Sequence, residues 1–287
     1  PVILEALPSL DNGGVKLSPV EVKAGDTVVD ASGDPVILQK GSRVFPSGCS
    51  SSECAIEWDG ISELKIDQLS ATFQLKPGIL WSDGTPLKAD DSVFSYNVAA
   101  DKNTPVYKDV YDRSVSYTIV DDRTVQWTGK PGYFPTNISE LFWTPLPKHI
   151  LESISPTDLL TSEQSTRQPV GWGPYQLDEW KTGEYIRLVK NPNYYRASEG
   201  LPKFDILEYR FIGKEADSAL QALESGACDI VDQSVDLLDQ MQDLRQMELD
   251  KKLVTFAALG PEWEHLDFGI NPAVYDDGYN PYGDERP

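Results

Sequence analysis

The hydrophobic pattern of the first half of the chain alternates with a period of two, which indicates β-strands. In residues 71–75 the apolar side chains of Ala71, Phe73 and Leu75 share one strand face. Shorter alternating runs occupy residues 1–50, between Asn-Gly-Gly, Ala-Gly-Asp and Ser-Gly-Asp turns. These runs predict a small β-meander, an all-β addition that precedes the main strands.

The stretch ILWSDGTPLKADDSVFSY, residues 79–96, predicts a strand, a turn and a helix in succession. Asp83-Gly84 supplies the turn residue with positive φ. Asp90 and Asp91 follow where the dipole at a helix N-terminus favours carboxylates. None of these residues has a catalytic layout, so the pattern indicates folding rather than chemistry.

Strands and helices alternate in the second half of the chain, which favours an α/β lobe. Apolar spacing predicts a helix from Ala216, and Gly226 can end it. Apolar strands are predicted at residues 228–231 (CDIV) and from residue 251 (KKLVTFAAL). The polar segment PTDLLTSEQSTRQP precedes this half, and we place a lobe boundary near residue 166.

The charge balance restricts the classes of partner. The chain has 46 acidic and 25 basic residues, a net charge of -21, which repels phosphate backbones and anionic lipid headgroups. Nucleic-acid binding is therefore not expected. No stretch approaches the ~18 unbroken apolar residues of a membrane helix, so no direct membrane span is predicted. Because the sequence starts without Met and stops without a closing element, a fragment of a longer protein is expected.

Three cysteines bear on the cellular compartment. Cys49 and Cys54 flank four residues in a Ser-rich loop and are close enough to meet across a turn. A disulfide between them would imply an oxidising compartment, but two independent thiols fit the same spacing. Cys228 lies beside a predicted strand and is interpreted as a small buried hydrophobic residue.

The motifs of common catalytic and cofactor sites do not occur. The chain has no G-x-S-x-G elbow, P-loop or complete dinucleotide fingerprint. His149 and His265 are far apart in sequence, so a histidine-based metal site or triad would require the fold to bring them together. Glu262 and Glu264 could share a strand face like the acids of a glycosidase, but acids are so abundant in this chain that turn or edge positions are the preferred explanation. No catalytic residue, metal or cofactor is predicted.

Aromatic residues are concentrated in the second half, and most are expected to pack in the core. Trp263 and His265 share a strand face opposite Phe268, so that face could line a cleft. Trp172 lies between two glycines on a loop, which is a second candidate for ligand contact. Core packing remains the alternative for each of them.

Four sequence blocks together carry a family resemblance. In chain order they are FQLKPGILWSDGTPLKADDSVFSY, GWGPYQLDEWKTGEYIRLVKNPNYY, ALQALESGACDIV and HLDFGIN. This series resembles family 5 of the extracellular solute-binding proteins, the oligopeptide, dipeptide and nickel receptors of ABC importers. The resemblance covers residues 73–271, whereas the segment before Ala71 matches loosely and contains an insertion.

The resemblance implies a mixed α/β fold of the type II periplasmic-binding class, with an extra β-rich subdomain. Residues 1–166 would form this subdomain of the first lobe with its N-terminal insertion. Residues 167–265 would form the α/β core part of the lobe, and residues 266–287 would start the crossover to a second lobe. That second ligand-binding lobe would be missing from this chain.

The resemblance also implies where solute would bind. The first-lobe residues expected to contact the solute are Tyr107, Trp172, Trp263, His265 and Asn271. Trp172 replaces a residue that is usually small and polar in the family. Phe268-Gly269 replaces a usual Phe-Asn pair, which removes a side chain near the expected site.

The function implied is that of a non-catalytic receptor that captures peptides between two closing lobes and delivers them to ABC permease subunits. Such a receptor would be extracellular or periplasmic and lipid-anchored through a cysteine upstream of this sequence. Two alternatives stay open at this point. One is an extracellular glycan hydrolase, and the other is a nickel or metal-chelate receptor of the same family.

Overall fold

The computed structural model of the chain describes residues 2–49, 51–213, 215–232 and 234–256. By its internal contacts the chain divides into two compact units, Pro1–Phe211 and Ile212–Pro287. The lobe boundary near residue 166 falls inside the first unit. It stays a prediction.

Among the described residues, the strands all lie in the first unit. In chain order they are β1 (Val15–Val22), β2 (Thr27–Val29), β3 (Pro35–Ile37), β4 (Arg43–Val44), β5 (Ile56–Glu57), β6 (Leu64–Gln74), β7 (Ser114–Asp121), β8 (Thr124–Gly129), β9 (Tyr175–Lys181), β10 (Tyr185–Lys190) and β11 (Ile206–Arg210).

Helices occur in both units. The α-helices are α1 (Ala89–Ala100), α2 (Asp109–Asp112), α3 (Lys148–Leu151), α4 (Pro156–Leu159), α5 (Glu163–Thr166), α6 (Ala216–Glu224) and α7 (Met241–Leu249). Short 3₁₀-helices occupy Ser52–Cys54, Ile138–Leu141, Ala197–Glu199 and Leu238–Gln240.

An antiparallel sheet with the strand order β1-β6-β8-β7 carries the main core of the first unit. On and just after β6, Ala71, Phe73 and Leu75 are all buried, as the period-two pattern predicts. Trp81 and Trp127 are the largest fully buried side chains of this core. The sheet therefore has one face closed by aromatic packing.

Helix α1 packs on this core through small polar side chains as well as apolar ones. The Ser92 hydroxyl donates to the Trp143 carbonyl at 2.5 Å, so it accepts from the Tyr117 hydroxyl at 2.7 Å. Burial raises the pKa of Tyr117, which keeps its phenol protonated as a donor. The Tyr96 ring lies 4.8 Å from the Trp143 ring and 5.4 Å from the Tyr117 ring, measured between centroids. The helix is thereby fixed in register on the sheet.

The predicted meander forms two small antiparallel pairs, β2-β3 and β4-β5, which share a separate apolar cluster with β1 and β6. The buried members of this cluster are Val22, Val28, Leu38, Val44, Trp58, Leu64 and Ile66. The Trp58 indole N–H donates to the Ser62 carbonyl at 2.9 Å, so its polar atom is satisfied. Residues 1–66 thus hold a second core within the first unit.

Specific contacts attach the meander to the main sheet. The Val29 amide donates to the Pro131 carbonyl at 2.8 Å. The Arg113 guanidinium donates twice to the Gly33 carbonyl, at 3.1 and 2.8 Å. Gly132 has a φ of +90°, and a Cβ there would lie 2.4 Å from the Val29 carbonyl oxygen, so this close approach requires glycine.

A second antiparallel sheet of the first unit has the order β11-β10-β9, and its two faces differ. One face carries a charged network, in which Arg187 pairs with Glu208 at 3.1 Å and with Glu179 at 3.6 Å. The opposite face is apolar and carries Trp180, Ile186, Leu188, Leu207 and Tyr209. No side chain of this apolar face is fully buried.

The second unit, as far as it is described, consists of helices and irregular segments. The helix predicted from Ala216 is confirmed as α6, and Gly226 follows it with a φ of +71°. The strand predicted at residues 228–231 is wrong, because Ile230 is 80% exposed and no described segment pairs with it. Residues 253–256, the described part of the next predicted strand, are irregular too.

Candidate functional site

The loop at residues 171–174, which carries Trp172, is held at both ends. The Ser82 amide donates to the Gly171 carbonyl at 2.7 Å. On the other side, the Asn191 amide side chain donates to the Gly173 carbonyl at 2.9 Å. Trp172 is half-buried and packs against the main core. The loop leads directly into β9, so Trp172 sits on a fixed connection.

The turn that follows Trp81 forms the base for this loop. The Trp81 amide donates to the Thr85 carbonyl at 2.8 Å, and the Gly84 amide donates to the Trp81 carbonyl at 2.9 Å. Gly84 has a φ of +89°, as predicted for the Asp-Gly step. The Asn193 side chain donates to the Ser82 carbonyl at 3.0 Å, which connects the turn to the segment after β10.

His149 contacts this turn through Asp83 and Trp81, which the sequence did not predict. Its Nε2 lies 2.7 Å from Asp83 Oδ2, and its ring lies 6.1 Å from the Trp81 ring. Burial raises the pKa of Asp83, but hydrogen bonds from Thr85 and His149 outweigh it and leave the pKa below its ordinary value. Asp83 is therefore an ionised acceptor that joins the turn to α3.

Asp91 lies buried beneath the same turn. Its Oδ2 accepts the Trp81 indole N–H at 3.2 Å and the Lys88 amide at 2.9 Å, and its Oδ1 accepts the Lys148 amide at 3.2 Å. This carboxylate thus fixes the start of α1 against the start of α3. Because its protein donors bind both oxygens, its arrangement is structural rather than catalytic.

Tyr107 lies on a different loop, after α1. The Lys108 ammonium donates to the carbonyls of Ala99 and Asp101 at 2.6 and 2.7 Å, and the Thr104 hydroxyl donates to Val98 at 2.6 Å. The Tyr107 side chain is 92% exposed. The structure therefore places Tyr107 free in solvent on a pinned loop, whereas Trp172 packs on the core, and it does not bring the two together.

The other predicted contact residues, Trp263, His265 and Asn271, lie outside the described residues, as do Glu262 and Glu264. For all five predicted contact residues, ligand binding stays a prediction. The sequence reasoning missed the residues that support the Trp172 loop, namely Asn191 and Asn193. The only local signal was their place in NPNYY, one of the blocks that carry the resemblance.

Cys49 and Cys54 are joined by a disulfide in the structure, and Cys228 is a half-buried free thiol. Asp67 of β6 anchors the disulfide loop. It accepts the Ser47 hydroxyl at 2.5 Å and the Gly48 amide at 2.9 Å. These bonds attach the cross-linked loop to β6.

The second unit contains a cavity of about 360 Å³ along α7, lined by Met241, Gln242, Leu244, Arg245, Glu248 and Thr255. The Thr255 hydroxyl donates to Glu248 at 2.9 Å across it. Nothing in its lining indicates a particular ligand. Within the described ranges, no group of three or more His, Cys, Asp or Glu side chains is arranged to hold a metal ion. No helix of the described part is both long and apolar enough to cross a membrane.

Comparison with known proteins bears on the identity of this fold. The family model for bacterial extracellular solute-binding proteins, family 5 middle, matches residues 54–282. The oligopeptide-binding protein AppA of Bacillus subtilis is 33% identical over 168 residues, which is 55% of this chain and 29% of AppA. A putative ABC transporter peptide-binding protein of Brucella ovis is 30% identical over 168 residues, covering 57% of this chain and 30% of the relative.

Among solved structures, the lactococcal OppA complexed with an endogenous peptide in the closed conformation superposes with a TM-score of 0.51. The two chains are 20% identical, and the superposition covers 77% of this chain and 41% of the OppA chain. This likeness supports the predicted mixed α/β fold of the periplasmic-binding class. The chain spans less than half the length of these relatives.

The family match includes the turn after Trp81, the Trp172 loop and the segment with Asn191 and Asn193. It supports the solute-binding interpretation and gives no support to the glycan hydrolase alternative. On the strength of this match over most of its length, the chain belongs to family 5 of the bacterial extracellular solute-binding proteins.

Proposed function

We propose that this chain forms most of one lobe of a receptor that captures peptides outside the cell and delivers them to an ABC importer. The observation that carries the proposal is the family match over residues 54–282. The names of two relatives, an oligopeptide-binding protein and a putative peptide-binding protein, support peptide as the solute class. The partner in delivery is the membrane permease of the importer.

The proposed receptor performs no chemistry on its solute. It binds the peptide in a cleft between this lobe and a second lobe, which lies in further sequence of the same polypeptide. Closure of the lobes removes the peptide from water, and the closed form is the signal that the permease recognises. One lobe alone leaves most of the peptide surface in water, so this chain by itself binds weakly.

The proposed contacts from this lobe are Tyr107, Trp172, Trp263, His265 and Asn271. Tyr107 and Trp172 supply two different kinds of surface. The exposed ring of Tyr107 can turn to cover a peptide, whereas Trp172 is held by its loop. Aromatic faces accept varied peptide side chains, because stacking and apolar contact need no particular hydrogen-bonding group.

An extracellular or periplasmic location follows from the family, and a lipid anchor upstream of this sequence completes the proposal. The disulfide between Cys49 and Cys54 supports this location, because disulfides persist in oxidising compartments.

The test uses the full-length polypeptide that contains this sequence, purified and then unfolded and refolded to remove any bound solute. Calorimetric titration with a pool of synthetic nonapeptides is expected to give saturable binding. Titration with an oligosaccharide and with nickel–histidine is expected to give none. Native mass spectrometry of the freshly purified protein is expected to show a peptide as the co-purifying mass.

Two results would contradict the proposal in different ways. Saturable binding of nickel–histidine with no binding of peptide would move the protein to the metal-chelate branch of the family. Release of reducing ends from the oligosaccharide would make it a glycan hydrolase. The matched control is Cys228→Ser, which removes the half-buried free thiol and is expected to leave peptide binding unchanged.

A further inference from the structure

The Trp172 loop is supported by hydrogen bonds from two separate segments of the chain, the turn after Trp81 and the segment after β10. The Ser82 amide donates a hydrogen bond to the Gly171 carbonyl, and the Asn193 side chain donates one to the Ser82 carbonyl. The Asn191 side chain holds the Gly173 carbonyl. The carbonyls on both sides of Trp172 are therefore occupied by fixed donors.

Asn191 is suited to this task by its burial and its bonding. Its side chain is 1% exposed, so each of its polar atoms needs a protein partner. Its amide nitrogen donates to Gly173, and its oxygen accepts the Asn193 backbone N–H at 2.9 Å. Its own backbone N–H donates to the Pro174 carbonyl at 2.9 Å. Asn191 thus orients both the Trp172 loop and Asn193.

We propose that Asn191 and Asn193 are positioning residues that hold Trp172 as a preformed wall of the peptide cleft. This inference rests on the proposed function. Neither asparagine touches the peptide, and both act through Trp172. Gly171 and Gly173 have no side chains that could pack and fix the loop. The backbone on either side of Trp172 is therefore fixed by the hydrogen bonds from Ser82 and Asn191.

The physical advantage is preorganisation. Ordering a loop during binding costs free energy, and a loop that is already ordered avoids that cost. Binding groups also need their supporting shell fixed to a fraction of an ångström to keep their geometry. The Trp172 side chain packs on the main core, and hydrogen bonds fix the residues before and after it. The loop is therefore already ordered before a peptide binds.

A double-mutant cycle in the full-length polypeptide separates positioning from general structural support. Affinity for the nonapeptide pool is measured for the wild type, Trp172→Ala, Asn193→Ala and the double variant. Trp172→Ala is expected to weaken binding about tenfold, as for an aromatic anchor. Asn193→Ala is expected to weaken it about threefold in the wild-type background and not at all in the Trp172→Ala background.

Hydrogen exchange supplies a second measurement that needs no ligand. The Ser82 amide, which donates to Gly171, is expected to lose protection in Asn193→Ala while amides of β6 keep theirs. Asn97→Ala is the control, because Asn97 is an exposed residue of α1, and it should change neither affinity nor Ser82 protection. If Asn193→Ala fails to fold, Asn193→Ser is used in the same cycle.

The outcomes distinguish the inference from the function on which it rests. If the wild type binds no nonapeptide, the proposed function fails and the inference falls with it. If the wild type binds, the inference is overturned by any of three results. These are full affinity in Trp172→Ala, full affinity in Asn193→Ala, or a loss caused by Asn193→Ala that persists in the Trp172→Ala background.

Discussion

The main core of the first unit and the β9–β11 sheet lie in the same unit but bury their aromatic residues to different degrees. Trp81 and Trp127 are 1% and 0% exposed, and their indole N–H groups donate to Asp91 and Ser114. Trp180, on the apolar face of the β9–β11 sheet, is only half-buried. The main core is closed by its own residues, whereas the β9–β11 sheet keeps part of its apolar face in contact with water.

The difference teaches where the stability of the first unit comes from. Stabilisation by apolar burial scales with the area removed from water, so fully buried tryptophans contribute most. In the β9–β11 sheet the apolar side chains are only partly removed from water, and each surface ion pair of the charged face contributes little, so less stabilisation comes from this sheet. The loop with Trp172 joins the two regions, since it packs on the main core and leads into β9.

The largest expected effect is at the centre of the main core. Trp127→Ala should lower the free energy of unfolding by about 3–5 kcal/mol, because it removes a fully buried indole and leaves a cavity. Hydrogen exchange of the β6 and β8 amides in increasing urea measures this loss. A loss below about 1 kcal/mol would show that the core collapses around the gap and is not rigidly packed.

The next effect concerns the buried carboxylate that supports the core. Asp91→Ala should cost about 3 kcal/mol, because three protein donors lose their acceptor and each unpaired donor costs about 1 kcal/mol or more. Asp90→Ala is the matched control, since it removes a partly exposed pair with Lys148 and a carboxylate at the helix N-terminus, and it should cost about 1 kcal/mol. Urea denaturation compares the two, and equal losses would contradict the assignment.

A smaller effect is expected in the β9–β11 sheet. Trp180→Ala should cost about 1–2 kcal/mol, because the indole is half-buried and the Arg167 guanidinium stacks 4.3 Å from its ring centroid. Exchange of the β9 and β10 amides measures it. A loss as large as that of Trp127→Ala would remove the contrast between the two regions.

The smallest effect is a shift in a titration. The folded pKa of Asp83 lies below its ordinary value of 3.8, so its ionised form stabilises the fold above that pH, and the contribution disappears as pH falls through the folded pKa. His149→Leu should raise the pKa of Asp83 towards the ordinary value. Carboxyl carbon NMR measures the shift, and an unchanged pKa would mean that Thr85 alone holds the carboxylate.

The elements of the main core could be predicted from the sequence because their patterns are local. Period-two alternation identified Ala71, Phe73 and Leu75, and the acidic start of α1 followed from the helix dipole. The Asp-Gly step likewise identified the turn. Each of these signals lies within a few neighbouring residues, and neighbouring residues are what a sequence pattern reports.

The support of the candidate site could not be predicted in the same way. His149 meets Asp83 and Asn193 meets Ser82 only after folding brings distant segments together, and no spacing rule connects such pairs. The strand predicted at residues 228–231 failed for a related reason. A short apolar run becomes a strand only where a neighbour pairs with it, and Ile230 is instead exposed.

The attachment of the meander through Gly33, Val29 and Gly132 has a practical consequence for anyone shortening this protein. The family match begins at residue 54, so that residue suggests itself as the start of a shortened protein. A chain that starts at residue 54 would lack β1, which pairs with β6 along its whole length. It would also lack the residues that bury Trp58. The Arg113 guanidinium would also lose its acceptor, the Gly33 carbonyl. The first fifty-odd residues are therefore an integral part of the first unit, and a version without them should be expected to aggregate.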